Sequence, residues 1–238
     1  MSKEQFASWL EEKEITLTSR MEEQFDLYYR LLIEWNKHMN LTGITAEDEV
    51  YEKHFFDSLT AAFPIDIMKV EHVIDIGAGA GFPSIPLKIC FPHLSVVIVD
   101  SLKKRISFLE HLAKELHIDN VTFLHGRAED IARDSHHRDH YDVALARAVA
   151  RMPVLTELCL PFVKKNGIFI ALKGASGQVE QKEANKACRL LGGRWLEPYV
   201  TKLPNEKSNR YILRMEKVDA TPKKYPRKAG IPAKKPLL

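Results

Sequence analysis

The chain has 238 residues, 45% hydrophobic and 28% charged, with a net charge of +3. This composition suits one globular domain with an appendage and excludes a fibrous or disordered protein. No run approaches the roughly 18 apolar residues of a membrane-spanning helix. The start, MSKEQFASWLEEKE, is acidic and lacks the basic and apolar blocks of a secretion signal, so a cytoplasmic protein is expected. Cys90, Cys159 and Cys188 are odd in number and widely spaced. They offer neither a disulfide framework nor a zinc knuckle and read as core fillers.

Helices are predicted at 3–13 and 19–39. In the second, Met21, Phe25, Tyr28, Leu32, Trp35 and Met39 recur at spacings of four and three, a stripe that has to be buried, against the main sheet in a helical subdomain or else against a partner. A polar segment, WNKHMNLTGIT, follows as a loop. A further helix is predicted at 49–62, with His54 and Asp57 on one face, where they could hydrogen-bond each other. No serine or cysteine nucleophile motif accompanies them, so they read as a structural pair or pocket wall.

From residue 72 the pattern alternates strand and helix. Strands are predicted at 72–77, 94–100, 121–125, 141–147 and 167–173, with helices at 84–91, 103–117, 128–135, 153–164 and 178–192. Runs such as SVVIVD and GIFIAL are apolar on both faces, as in a parallel sheet covered on both sides. Two further strands, near 194–203 and 209–218, are joined by too few residues for a crossover helix and must be antiparallel. The expected organisation is a helical subdomain over 1–65, a doubly wound α/β domain of Rossmann type over 66–218, and a tail over 219–238.

At the end of the first strand stands HVIDIGAGAGFPSIP, a glycine turn (Gly77, Gly79, Gly81) between a β-branched run and a helix start. A dinucleotide loop would place its third glycine where Phe82 stands, and a P-loop would need Gly-Lys-Ser or Gly-Lys-Thr. The spacing that remains is that of S-adenosylmethionine-dependent methyltransferases. Asp100, about 20 residues on, is placed to accept from ribose hydroxyls, or else to cap the following helix. Gly126-Arg127-Ala128-Glu129 ends the third strand, where a carboxylate can take an adenine amino group, or else sit favourably in a first helical turn. The fourth and fifth strands end in Ala146-Arg147-Ala148-Val149 and Leu172-Lys173-Gly174.

The tail holds Lys223, Lys224, Arg227, Lys228, Lys234 and Lys235 against Asp219, a local net of +5 that leaves −2 for the rest of the +3 chain. Interleaved with prolines, it is expected to be extended, without a core of its own, and to lie along RNA phosphates, with Tyr225 stacking on a base. Cofactor affinity is expected to be independent of it. His136, His137 and His140 are not expected to hold a metal, since adjacent histidines diverge.

The segments DIGAGAGFPSIPL, DSLKKR, GRAED, ARAVA, LKG, WNKHMNLT and PKKYPRKAG together resemble the ribosomal RNA small subunit methyltransferase G family, also called glucose-inhibited division protein B, over nearly the whole chain. The resemblance implies a class I methyltransferase sheet of five parallel strands plus a terminal antiparallel pair. It also implies methyl transfer from S-adenosylmethionine to N7 of a guanine in small-subunit ribosomal RNA, with Gly77, Phe82, Ala128, Glu129 and Arg147 at the cofactor. Ser84 stands where the family pattern leads one to expect glycine. Gly79, Gly81 and Asp100 complete the candidate cofactor set; Lys173, Lys223, Lys224, Arg227 and Lys228 are the candidate RNA contacts. The rival readings are a methyltransferase for a protein or small molecule, and a non-catalytic assembly protein that keeps the cofactor fold.

Overall fold

The computed structural model describes residues 3–238. The doubly apolar runs form parallel strands β1 (His72–Ile76), β2 (Ser95–Asp100), β3 (Val121–His125), β4 (Tyr141–Arg147) and β5 (Val163–Lys173). With β6 (Gly193–Trp195), β7 (Tyr199–Lys202) and β8 (Asn209–Lys217) they make one sheet in the order β3-β2-β1-β4-β5-β8-β6, with β7 also paired to β8. β8 runs antiparallel to β5, β6 and β7. The strand expected at 194–203 is thus two pieces. Between the pairs Trp195↔Met215 and Tyr199↔Ile212 one side advances four residues and the other three, a bulge that accommodates Pro198, which has no N–H to give the ladder.

The helices are α1 (Lys3–Glu11), α2 (Ser19–Met39), α3 (Glu47–Val50), α4 (Asp57–Leu59), α5 (Ser84–Cys90), α6 (Lys103–Glu115), α7 (Ala128–Ile131), α8 (Met152–Cys159), α9 (Gly177–Glu183), α10 (Asn185–Leu190) and α11 (Ile231–Lys234). α2 starts where Thr18 Oγ1 accepts from the Met21 amide and stops at Asn40 in left-handed backbone. The helix expected at 49–62 is not uniform: a π-helical stretch, Tyr51–Phe56, joins α3 to α4. Such stretches place a side chain out of α-helical phase and recur at functional sites.

Alternation along the strands sorts the core into two layers. Val73, Val143, Leu145 and Ile170 face one way, into a cluster with Phe6, Phe25, Tyr28, Leu32 and Phe55. Ile74, Ala144, Phe169 and Ala171 face the other, with Leu155, Cys188 and Tyr225. The aromatic stripe of α2 is therefore buried against the rest of the chain, and the N-terminal helices share a continuous core with the sheet. Within it Phe25 and Tyr28 lie 5.0 and 5.1 Å from the Phe55 ring.

The tail differs most from its expected form. Instead of extending, it folds back on the second layer and ends in α11. Arg138 donates to the carbonyls of Thr221 at 2.8 Å and Tyr225 at 2.9 Å, and Arg133 to that of Pro226 at 2.6 Å. Arg227 grips the wholly buried Glu157 in α8 with Nε at 2.9 Å and Nη2 at 2.7 Å, while its own amide donates at 2.7 Å. Local charge and proline content hid this, because the partners that anchor the tail lie 70 to 93 residues away in sequence. Replacing Arg227 with Met is expected to strand the Glu157 carboxylate in the core and destabilise the fold by about 3–5 kcal/mol. Urea unfolding measures this, and a change under about 1 kcal/mol would remove the clamp from the account.

Candidate active site

At the carboxyl ends of β1 to β4, where the strand order reverses, lies a cavity of about 330 Å³, within the range of small-ligand sites and at the place open α/β sheets bind ligands. Gly77, Asp100, Ala128 and Glu129 line it. The backbone at Gly77 has φ +74°, which strongly favours glycine. Asp100 is buried and does two things. Its Oδ1 accepts from the Leu102 amide at 2.9 Å, an Asx turn just ahead of α6, while Oδ2 accepts from the Gly79 amide at 3.2 Å. Arg105 Nη1 approaches Oδ2 at 3.5 Å. The N-cap reading of this residue does not hold, since Leu102 is the N-cap of α6 and no side chain caps it; the carboxylate instead faces the cavity and ties the loops around it.

The other four cofactor candidates, Gly79, Gly81, Phe82 and Arg147, do not line the cavity. A Cβ on Gly79 would meet nothing within 4 Å, whereas one on Gly81 would lie 2.7 Å from the Tyr28 hydroxyl and 2.8 Å from Ile85 Cγ1. Gly81 is thus required by the approach of α2. Phe82 stacks between His54 at 4.5 Å and Tyr28 at 5.4 Å. Arg147 lies over the same ring at 5.0 Å. Its Nη1 donates to Asp57 Oδ2 at 2.7 Å and to the Lys53 carbonyl at 3.1 Å, and its Nη2 to His54 Nδ1 at 2.9 Å.

His54 and Asp57 therefore share Arg147 as a partner, and Arg210 Nε holds the second oxygen of Asp57 at 2.8 Å. Because a guanidinium only donates, His54 Nδ1 is an acceptor. Its proton sits on Nε2 and points at Thr42 Oγ1, 2.7 Å away. Burial, and then the Arg147 charge, push the His54 pKa down to about 3. Beneath the glycine loop Asp75 is fully buried and raised to about 7 by burial, with Oδ2 accepting from the Ser84 amide at 3.1 Å.

The RNA candidates also separate. Lys173 Nζ is spent internally, on Glu180 and the Ala150 carbonyl at 2.8 and 2.7 Å, and Arg227 is spent on Glu157. Tyr225, expected to stack on a base, is buried in the second layer. Lys223, Lys224 and Lys228 are exposed. His136 and His137 bond separately to Asp134 and the Tyr141 hydroxyl. No group of three or more His, Cys, Asp or Glu placed to hold a metal occurs among the described residues.

The cavity wall contains residues not singled out from the sequence. Arg105, Ala150 and Val154 contribute, and so do Gly230, Pro232 and Ala233 of the tail. The Gly230 amide donates to Glu129 Oε1 at 2.9 Å. A glycine between apolar residues and prolines in a basic tail was the available signal, since such punctuation belongs to folded turns as well as to disorder.

This sheet, with a glycine loop after β1 and acids after β2 and β3, defines a class I S-adenosylmethionine-dependent methyltransferase. Solved structures share the fold at low identity. TYW2 from M. jannaschii in complex with AdoMet superposes with a TM-score of 0.53 at 18% identity, over 69% of this chain and 76% of that one. A SAM-dependent O-methyltransferase from Thermotoga maritima gives 0.52 at 20% identity, over 80% and 72%. The family described as GidB, rRNA small subunit methyltransferase G, matches residues 21–208. Proteins named ribosomal RNA small subunit methyltransferase G are 57% identical, in Brevibacillus brevis over 100% of both chains and in Bacillus cereus over 100% of this chain and 99% of the other. The chain belongs to the rRNA small subunit methyltransferase G family, and S-adenosylmethionine is its cofactor.

A neutral buried histidine has a definite pH signature. The folded pKa of His54 lies below its unfolded value near 6.5, so the stability it contributes is complete above about pH 6.5 and is lost as pH falls toward 3. His54→Gln is therefore expected to gain stability relative to the parent between pH 6 and 4, by at most about 1.4 kcal/mol per unit. Urea unfolding at four pH values gives the difference, and parallel profiles would show that His54 is charged in the fold.

Proposed function

We propose that the protein transfers a methyl group from S-adenosylmethionine to N7 of a guanine in small-subunit ribosomal RNA, in the cytoplasm and in contact with the small ribosomal subunit. The observation that carries the cofactor half is Asp100 and Glu129 lining one cavity at the switch point of the sheet, beside Gly77. Asp100 would receive the ribose hydroxyls, and the α7 start, Ala128 and Glu129, the adenine edge. Phe82 and Arg147 would act through the loop and strand end they brace against the N-terminal helices.

Held there by Asp100, Ala128 and Glu129, S-adenosylmethionine would supply an electrophilic methyl group for the N7 lone pair, with its sulfonium as the leaving group. No proton moves, so the protein has to position and desolvate rather than titrate, a contribution of up to about 7–11 kcal/mol in favourable cases. The residues around the cavity suit that demand. Methylation at cytosine carbon needs a thiolate, and Cys90, Cys159 and Cys188 are all buried, with burial pushing Cys90 up to about 12 and Cys188 to about 11. Methylation of exocyclic amines usually involves an Asp/Asn-Pro-Pro-aromatic sequence after the fourth strand, and here that stretch reads ARAVAR.

Incubating the protein with S-adenosylmethionine and small-subunit rRNA, free or assembled, is expected to yield 7-methylguanosine at a single position; methyl transfer to another atom, or none, overturns the reading. Asp100→Ala is expected to weaken cofactor binding by about 1.5–3 kcal/mol, the usual worth of hydrogen bonds to a charged group. Calorimetry tests it, and an unchanged dissociation constant would leave Asp100 with its loop-bracing role alone. Gly79→Val should abolish cofactor binding in a folded chain. The open space around its Cβ means the effect would come from a β-branched residue held at φ +60°, which would shift the loop and the Gly79 amide that Asp100 accepts from.

A further inference from the structure

The tail reaches the cavity by a specific route. Arg138 and Arg133 hold residues 221–226 through backbone carbonyls. The Arg227 clamp on Glu157 then fixes the point from which the chain turns at Gly230, in left-handed backbone at φ +81°. Beyond it Pro232 is buried, and Pro232 and Ala233 form part of the cavity wall. The Gly230 amide meanwhile holds one oxygen of Glu129, the carboxylate that the proposed function assigns to the adenine edge.

We infer that residues 230–233 are the closing wall over the nucleoside end of the cofactor site, and that Arg227 is the positioning residue that pins this wall in place. The inference rests on the cofactor reading above and deepens it. A tail whose charge suggested RNA contact alone is part of the cofactor cavity as well. The physical reason is that hydrogen bonds accepted by Glu129 and Asp100 from a nucleoside discriminate strongly only where water is kept out. An open cavity would leave them competing with bulk solvent. The same strap carries Lys228, Lys234 and Lys235 on its exposed side, so the two roles occupy different faces of one segment.

The test uses full-length variants and measures the dissociation constant for S-adenosylmethionine by calorimetry, together with thermal melting. Replacing residues 231–233 by Gly-Ser-Gly keeps the length, the terminal lysines and the Arg227 clamp, and is expected to raise the constant at least tenfold with the melting temperature nearly unchanged. Pro232→Gly, which removes a single wall side chain and guards against misfolding of the larger replacement, is expected to shift it in the same direction. In turnover assays the KM for the cofactor should rise without a matching fall in kcat, which a general loss of stability would not produce. Arg227→Lys, which keeps the charge but loses the bidentate grip, should fall between the parent and Arg227→Met. The double variant Lys234→Ala/Lys235→Ala should leave the cofactor constant where it was, separating wall from charge. Folded wall variants that bind the cofactor as tightly as the parent overturn the inference while leaving the proposed function standing. A parent chain that does not bind the cofactor at all sinks the reading on which both rest.

Discussion

A turn with Gly77, Gly79 and Gly81 all at positive φ, within five residues, has little of its own to hold its shape, and the surrounding architecture can be understood as what holds it. The Gly77 amide donates to the Val99 carbonyl at 2.7 Å, and the Gly79 amide to Asp100. Tyr28, from α2, donates its hydroxyl to the Ala80 carbonyl at 2.6 Å. β2 therefore braces the loop from one side and an N-terminal helix from the other. Burial raises the Tyr28 pKa well above its ordinary value, so the hydroxyl keeps the proton this bond needs. The helical extension is in this sense a structural part of the site, because the loop's geometry depends on a side chain it supplies.

Several buried charges follow the same logic, matched by partners from distant parts of the chain. Asp57, from the N-terminal helices, receives Arg147 from β4 and Arg210 from β8, so that one carboxylate joins three elements of the fold. Such pairs contribute less net stability than their Coulomb energy suggests, because desolvation offsets most of the gain, but removing one partner is expensive. Their effect is to specify arrangement. Here they hold the end of β4 and β8 against the helices, with Arg147 also lying over the Phe82 ring. Lys217, buried and bonded to Asp139 at 2.8 Å and the Leu160 carbonyl at 2.9 Å, does the equivalent at the far end of β8.

The tail shows how misleading local composition becomes once tertiary partners exist. Proline, lysine and glycine in alternation describe a solvated extension when read in isolation. Arg138 and Glu157, both remote in sequence, convert it into an ordered strap, by offering donors to its carbonyls and a buried carboxylate to its arginine. Of its six bases one is internal, and the exposed lysines are displayed on a fixed frame beside the cavity.

Several features of the protein were legible in its sequence. The parallel strands announced themselves as doubly apolar runs, the glycine spacing selected one cofactor class, and the α2 stripe demanded a core to pack on; these depend on local periodicity and backbone sterics, which neighbours in sequence set. Asp100 and Glu129 were placed by counting from strand ends, because a parallel sheet brings those ends together. What tertiary structure alone decided was where long polar side chains spend their hydrogen bonds. Arg147 turned from the cavity toward Asp57, Lys173 toward Glu180, Arg227 toward Glu157, and Gly230, Pro232 and Ala233 came to line the cavity. A side chain with several rotatable bonds goes to whichever partner lies within reach in the folded chain, and those partners stand 90, 7 and 70 residues away. The order of residues along the chain carries no record of that distance in space.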